Sequence, residues 1–436
     1  MGRRKGMAPP QKYGSPLFCA AWVPGVGDGG PGAGGCVIVG GGGGAGSHGV
    51  KNVALGVAWG GRARPDGGGG ALEMAACATA DMGASAPQGM AVHPDGRAAL
   101  VASDGGVRVL TVEPSSTTSG GRTVPTVLLA SRANDDERLG SALGGGGCSA
   151  VAFSADGASF AVGRDDGSVR AFSWPELREC EVAAGSGHSD AVNALAFSPD
   201  GTALASTASD GTCLVRRVGG GANAKYVDVR KELHGGKGEG GNGRARACLR
   251  ACAGAHLRAK TDARERSRVG SFRGAAYADG ALYTGVNVGG EGFITKWVYN
   301  PADATQLRIA SRRRVFRDAL TSLAAGGGSP AAIAAGSSEG DVCVARGAGG
   351  GISLKATHRG AHGIFVTALA VHPTTGAVSS VSADAGVRVF PSSRAPGGGG
   401  GALARAFFLI VLMLATLLVA LLIGQAHLYF STPRCS

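Results

Sequence analysis

The strongest constraint on this chain is a phrase of sequence that it uses twice. Val151-Ala152-Phe153-Ser154-Ala155-Asp156-Gly157 leads through an apolar run to Arg164-Asp165-Asp166-Gly167-Ser168-Val169-Arg170-Ala171-Phe172. Ala194-Leu195-Ala196-Phe197-Ser198-Pro199-Asp200-Gly201 leads in the same way to Ala208-Ser209-Asp210-Gly211-Thr212-Cys213-Leu214-Val215. Each apolar alternation reads as a half-buried strand. Each Asp-Gly reads as a tight turn in which Gly supplies a positive φ and Asp bonds its own backbone. Phe153 and Phe197 stand 44 residues apart, within the range of propeller blades built from four short antiparallel strands.

Weaker copies extend the pattern. Met90-Ala91-Val92-His93-Pro94-Asp95-Gly96 leads to Ala102–Leu110, and Leu369-Ala370-Val371-His372-Pro373 leads to Ser382–Phe390. Gly274–Tyr299, Ser322–Val344 and Leu17–Trp59 complete seven units, a number that closes a ring without long open edges. Gly187-His188 precedes the second unit where WD repeats often carry Gly-His, although no Trp-Asp dipeptide occurs in the chain. The expected fold is all-β: a seven-bladed, WD-repeat-like β-propeller over residues 1–395, followed by one C-terminal transmembrane helix. By composition, loop insertions are expected near 115–147 and 235–268.

The end of the chain differs in kind. Phe407–Gly424 is an uninterrupted apolar run of 18 residues, about 27 Å as a helix, which matches an endoplasmic reticulum bilayer. Residues 396–406 form a Gly-rich tether to it and 425–436 a short tail. The N-terminus carries Arg3, Arg4 and Lys5 without an apolar region behind them, so no secretory signal is read. The expectation is a single-pass protein with a cytosolic propeller and a luminal C-terminus.

A net charge of +12 calls for an acidic partner. Much of the excess lies in 231–273, a Gly/Ala-rich segment that also holds acidic residues and lacks aromatics for base stacking. It reads as a solvated insertion, and no nucleic acid is expected. The ten cysteines form no Cys-x-x-Cys pair, which fits reduced thiols. Cys248, Cys252 and His256 share one helical face but lack a fourth zinc ligand. His48, His93, His188, His362 and His372 are scattered among loops with no nucleophile motif, so hydrolysis is not expected and His362 reads as a turn residue.

The densest glycine cluster is Gly40–Gly49, set between Cys36–Val39 and the alternating run Val53–Val57. Gly44-Ala45-Gly46-Ser47-His48-Gly49 formally satisfies a dinucleotide fingerprint, but that motif needs a helix next, and a strand follows. No Gly-Lys-Ser/Thr follows either, which excludes a P-loop. A folded glycine backbone presents carbonyl oxygens suited to a hard cation.

With Tyr13-Gly14-Ser15-Pro16-Leu17, the glycine loop, Met90–Pro94, Ala361–Thr367 and the terminal apolar run, the chain resembles the endoplasmic reticulum membrane exchange factors for the Sar-type GTPase that starts COPII coat assembly. This is the prolactin regulatory element-binding protein family. The resemblance implies an exchange loop at Gly43–Asn52, with Ser47, His48, Val50, Lys51 and Asn52 contacting the GTPase. It implies a potassium ion ordering the loop through Gly43, Gly44, Gly46 and Gly49, with Asp81 as a further candidate. Val50 stands where the family has Ile, Lys51 where it has Pro, and Ala45 where an acidic residue is common. The implied function is GDP release in endoplasmic reticulum to Golgi transport, with COPII components or transporter cargo as further partners and no covalent catalysis. A plant relative that assists the exit of phosphate transporters offers the alternative: an anchored, non-catalytic trafficking factor.

Overall fold

The computed structural model describes residues 10–26, 34–46, 49–60, 73–119, 122–182, 187–218, 227–228, 270–300, 303–327, 330–348 and 350–390. The alternating runs form seven four-stranded antiparallel sheets. The innermost strands are Leu17–Trp22, Pro87–Val92, Cys148–Phe153, Val192–Phe197, Ser271–Ala278, Leu320–Gly326 and Val366–Val371. Each touches the next around a closed circuit, so the sheets are the blades of a propeller.

Six blades are continuous in sequence and the seventh is not. Gln11–Lys12 supplies its outermost strand, pairing antiparallel with Gly386–Phe390. Lys12 Nζ lies 3.2 Å from Asp384 Oδ2 in the same blade. The ring is therefore closed by joining its two ends, a step that couples the first described residues to the last.

Apolar side chains pack between neighbouring blades. Val37, Val39, Val57 and Trp59 of the first blade meet Ala370, Val381 and Val387 of the seventh. Trp22 Nε1 donates to the Ala370 carbonyl at 3.1 Å, and Thr367 Oγ1 donates to the Leu17 carbonyl at 2.7 Å. Second strands such as Ala98–Ser103, Ala203–Ala208 and Ala332–Ser337 are buried along their whole length, which explains their small, apolar composition.

The stretch 115–147 corrects the sequence expectation of a loop insertion. Gly106–Ser119 and Arg122–Ser131 form one long hairpin, paired from Leu110↔Ser131 to Ser119↔Arg122. Thr126 and Val127 are buried, and Val112, Val127 and Leu129 pack against Val23 and Val26 of the first blade. A helix follows, Ala133–Leu143, with Asp135 and Asp136 in its first turn and Gly144 ending it at φ 72°. Leu139 and Leu143 bury its inner face. Polar composition concealed a regular alternation that the first blade covers.

The chain divides into a unit of residues Met1–Ser392 and a second of Ser393–Ser436. The expected tether, membrane helix and luminal tail at 396–436 lie outside the described residues, as do the insertion near 235–268 and Cys248, Cys252 and His256. Among the described residues no helix is long and apolar enough to cross a membrane. The described cysteines, Cys19, Cys36, Cys148, Cys180, Cys213 and Cys343, are free thiols.

Candidate protein-interaction face

Because the four strands of a blade alternate in direction, the loops joining second to third strands and those joining one blade to the next share one face. The glycine loop is the second-to-third connection of the first blade, between Gly35–Gly41 and Val53–Gly60. It therefore stands on the same face as Met82–Ala86, Arg317–Ala319 and Arg359–Phe365, which lead into the second, sixth and seventh blades.

The loop is two different structures in sequence. Its first half is packed: a Cβ on Gly40 would lie 2.8 Å from Cys19 Sγ and Pro87 Cβ, and one on Gly41 would lie 1.9 Å from the Pro16 carbonyl oxygen. Its second half is open, with nothing within 4 Å of a Cβ built on Gly44, Gly46 or Gly49. Gly43, Ala45, Gly46, Gly49 and Lys51 are exposed, and Val50 is half-buried. Ser47 and His48 fall outside the described residues.

Asn52 joins the halves. Its Oδ1 accepts the Gly44 N–H at 2.9 Å, and its Nδ2 donates to the Gly83 carbonyl at 2.9 Å and the Gly44 carbonyl at 3.4 Å. The Asn52 carbonyl also accepts the Met82 N–H at 2.9 Å. The side chain is 4% exposed, so the expectation that it touches a GTPase gives way to an inward role: it clamps the loop base to the connection ahead of the second blade. Burial decides this, because an amide spent on three protein groups has no free donor for a partner. Asn52→Ala leaves the Gly44 N–H and the Gly83 carbonyl unsatisfied, and is expected to cost about 2 kcal/mol, read as a lower urea midpoint at unchanged slope.

The same geometry bears on the implied potassium ion. The Gly44 and Gly83 carbonyls point at the Asn52 amide nitrogen, and Asp81 Oδ1 accepts the Gly83 N–H at 2.7 Å. Of the carbonyls that the resemblance implies as potassium ligands, that of Gly44 is thus already spent on the Asn52 amide.

At the centre of this face the channel mouth opens as a cavity of about 610 Å³, lined in part by Phe18, Gln88, Arg273, Leu320 and Phe365. Ile364 and Phe365 are each 43% exposed, a rarity among the large apolar side chains described here. Sequence reading missed this group. Its members come from five blades, and only ring closure brings them together.

Two buried polar constellations complete the face. His188 pairs through Nδ1 with Thr212 Oγ1 at 2.5 Å and through Nε2 with Ser206 Oγ at 2.8 Å. Burial opposes charge on Asp210, yet contacts from His188, the Ser189 N–H and Thr212 hold its carboxyl well below the usual range. In the seventh blade His362 Nε2 meets Ser380 Oγ at 2.7 Å, while Nδ1 lies 3.4 Å from Asp384 Oδ1, poorly aligned for a hydrogen bond. Serine, histidine and aspartate are thus assembled as in a hydrolase, but Ser380 is fully buried and no substrate reaches it. Cys19 behind the glycine strand is equally inert, since burial pushes its thiol up to about 12. His188 and His362 hold the connections they stand in, the role expected of His362.

Residues 140–173 and 180–216 match the WD domain, G-beta repeat family. The third and fourth blades carry WD repeats. They are the two units most legible in the sequence. Among solved structures, Chaetomium thermophilum Sqt1 is similar at 17% identity and a TM-score of 0.48, covering 88% of this chain and 97% of that one. The Sqt1 complex with the N-terminus of the ribosomal protein L10 is similar at 17% identity and a TM-score of 0.46, covering 87% and 98%. No curated protein matches the chain. A seven-bladed ring, two of whose blades match WD repeats, that presents loops and an apolar mouth on one face has the form of a scaffold for protein interaction.

Proposed function

We propose that the scaffold is a guanine-nucleotide exchange factor for a Sar-type small GTPase, held at the endoplasmic reticulum membrane by the apolar run 407–424. The observation that carries this reading is the glycine loop, whose base is clamped by Asn52 while its tip stands open on the face of the channel mouth. Exchange needs no covalent chemistry, only tighter binding of the nucleotide-free partner than of the GDP-bound one. A rigid base with an open tip suits that task, because the loop is not reordered at each encounter. In this assignment Val50 and Lys51 enter the switch region together with Ser47 and His48, while Asn52 positions them.

The test is release of a fluorescent GDP analogue from the Sar-type GTPase, using the full chain in detergent micelles. Wild type is expected to accelerate release by at least about tenfold, a barrier change of roughly 1.4 kcal/mol. Val50→Ala with Lys51→Glu is expected to abolish the effect without moving the melting temperature. No acceleration by wild type would overturn the proposal.

One observation favours a second reading. Lys51 replaces the family's proline and Asn52 faces inward, so two of the loop's expected features are changed or occupied. An anchored, non-catalytic factor for transporter exit would bind a cargo tail and leave GDP release unchanged.

A further inference from the structure

The outermost strand of the fifth blade, Asp303–Phe316, carries a charge pattern that the fold does not require. Residues 307–317 contain Arg308, Arg312, Arg313, Arg314 and Arg317 and no carboxylate. The outermost strands of the other blades carry at most one lysine or arginine each. Charge that only protected a sheet edge from aggregation would not be confined to one blade.

Toward the glycine-loop face the arginines are already matched. Arg314 Nη1 lies 2.6 Å from Glu291 Oε1, and Arg317 lines a cavity of about 780 Å³ together with Asp318, Glu339 and Asp341. Farther down the strand the balance changes. Among the described residues, no carboxylate lies within ion-pair distance of Arg308, Arg312 or Arg313, nor of Lys355 on Gly351–His358, the strand packed beside this one. Arg308 pairs with Val298 and Arg313 with Ile294, positions that face the sixth blade, whereas Arg312 pairs with Thr295 on the opposite side. The cations therefore fan to both sides of the edge, over about 17 Å of strand. Arg312 lies 4.4 Å over the Phe293 ring, and this partial burial holds its pKa below the ordinary value with no carboxylate to oppose it. Arg170, by contrast, has the Glu179 hydrogen bond that raises its pKa. Arg312 is a partly desolvated cation without its anion.

We propose that this strip, Arg308, Arg312 and Arg313 with Lys355 beside them, rests on the anionic headgroups of a phospholipid leaflet. Guanidinium forks match phosphate in geometry as well as sign, and basic residues held near an anionic surface act additively. A peptide finds no apolar anchor here, since the exposed large apolar side chains described, Leu128, Ile364 and Phe365, belong to other blades. Single-stranded nucleic acid finds no free ring for stacking, since Arg312 covers Phe293. The choice of lipid rests on the reading of 407–424 as a membrane anchor and is independent of exchange activity.

The test holds the full chain in phosphatidylcholine nanodiscs and titrates it with separate vesicles, so that the anchor is occupied and binding in trans reads the propeller. Recovery of the chain with the discs reports on the anchor by itself. Vesicles containing phosphatidylserine are expected to bind, less tightly as salt rises, and pure phosphatidylcholine vesicles are expected not to. Arg308→Gln with Arg313→Gln is expected to weaken binding about thirtyfold at an unchanged melting temperature. Arg97→Gln with Arg178→Gln, which removes the same charge from exposed sites on the second and third blades, is expected to weaken it less than about threefold. The proposal is overturned if phosphatidylserine vesicles do not bind, if the Arg308 and Arg313 variant binds as wild type, if both double variants lose binding equally, or if polyglutamate or duplex RNA binds while the vesicles do not.

Discussion

Gly41→Ala is expected to be among the most damaging single-methyl changes in this protein, costing more than about 3 kcal/mol, whereas Gly46→Ala five residues later is expected to change stability by no more than about 0.5 kcal/mol. The difference follows from what surrounds each position. At Gly41 the added carbon would lie 1.9 Å from the Pro16 carbonyl oxygen and 2.7 Å from Leu17 Cα. Both are backbone atoms, so no rotamer change relieves the clash. Nor is Pro16 free to retreat, since its carbonyl accepts the Gly42 N–H at 3.0 Å and Leu17 pairs with Gly41. At Gly46 the carbon meets nothing within 4 Å. Gly44→Ala falls between, at about 1 to 2 kcal/mol, because its surroundings are open but its φ of 74° is left-handed. Urea midpoints for the three variants give the ranking directly. Equal destabilisation by Gly41→Ala and Gly46→Ala would refute the division of the loop into a packed root and an open tip.

This division separates what the sequence disclosed from what it concealed. The blades were legible because apolar alternation and Asp-Gly turns are local, and a 44-residue recurrence needs no knowledge of distant contacts. The glycine run was legible as a special backbone path for the same reason. That Gly40 and Gly41 are glycine for want of space, while Gly44 and Gly49 adopt left-handed φ angles, depends on Cys19, Pro16 and Pro87 and could not be read locally. Asn52 was singled out from its place in the loop, but its inward direction is set by Gly83, across the blade-to-blade connection. The channel mouth was the least legible feature. Phe18 and Phe365 are separated by almost the whole propeller, and they meet only because Gln11–Lys12 closes the ring onto the seventh blade. The long hairpin at 106–131 shows the converse error, where polar composition hid strands whose apolar faces the first blade covers.

Acid is expected to destabilise the propeller well above the range in which carboxylates titrate, and His362 is the main cause. Burial lowers its pKa from 6.5 to about 4, with Arg388 and Lys12 acting in the same direction and Asp384 opposing them. The folded protein therefore keeps this imidazole neutral where the unfolded chain protonates it. Above pH 6.5 both states are neutral and nothing is lost. Between pH 6.5 and 4 the unfolded state binds more protons, so stability falls with falling pH, by about 2 kcal/mol at pH 5 and about 3 kcal/mol at pH 4. His358, held down by burial and by Arg388, adds in the same direction. Asp384 acts in a different window: despite burial, the N–H groups of Gly363 and Gly386 and the nearby His362 and Lys12 depress its pKa below 3.8, so its contribution is lost only at lower pH. Urea midpoints measured from pH 7 to pH 4.5 are expected to fall steeply for wild type. The slope should be shallower for His362→Gln, which keeps a polar group facing Ser380 without a proton to gain, although this variant starts from a lower midpoint at pH 7. Identical slopes for the two proteins would show that the seventh blade's histidine is not what the acid reaches.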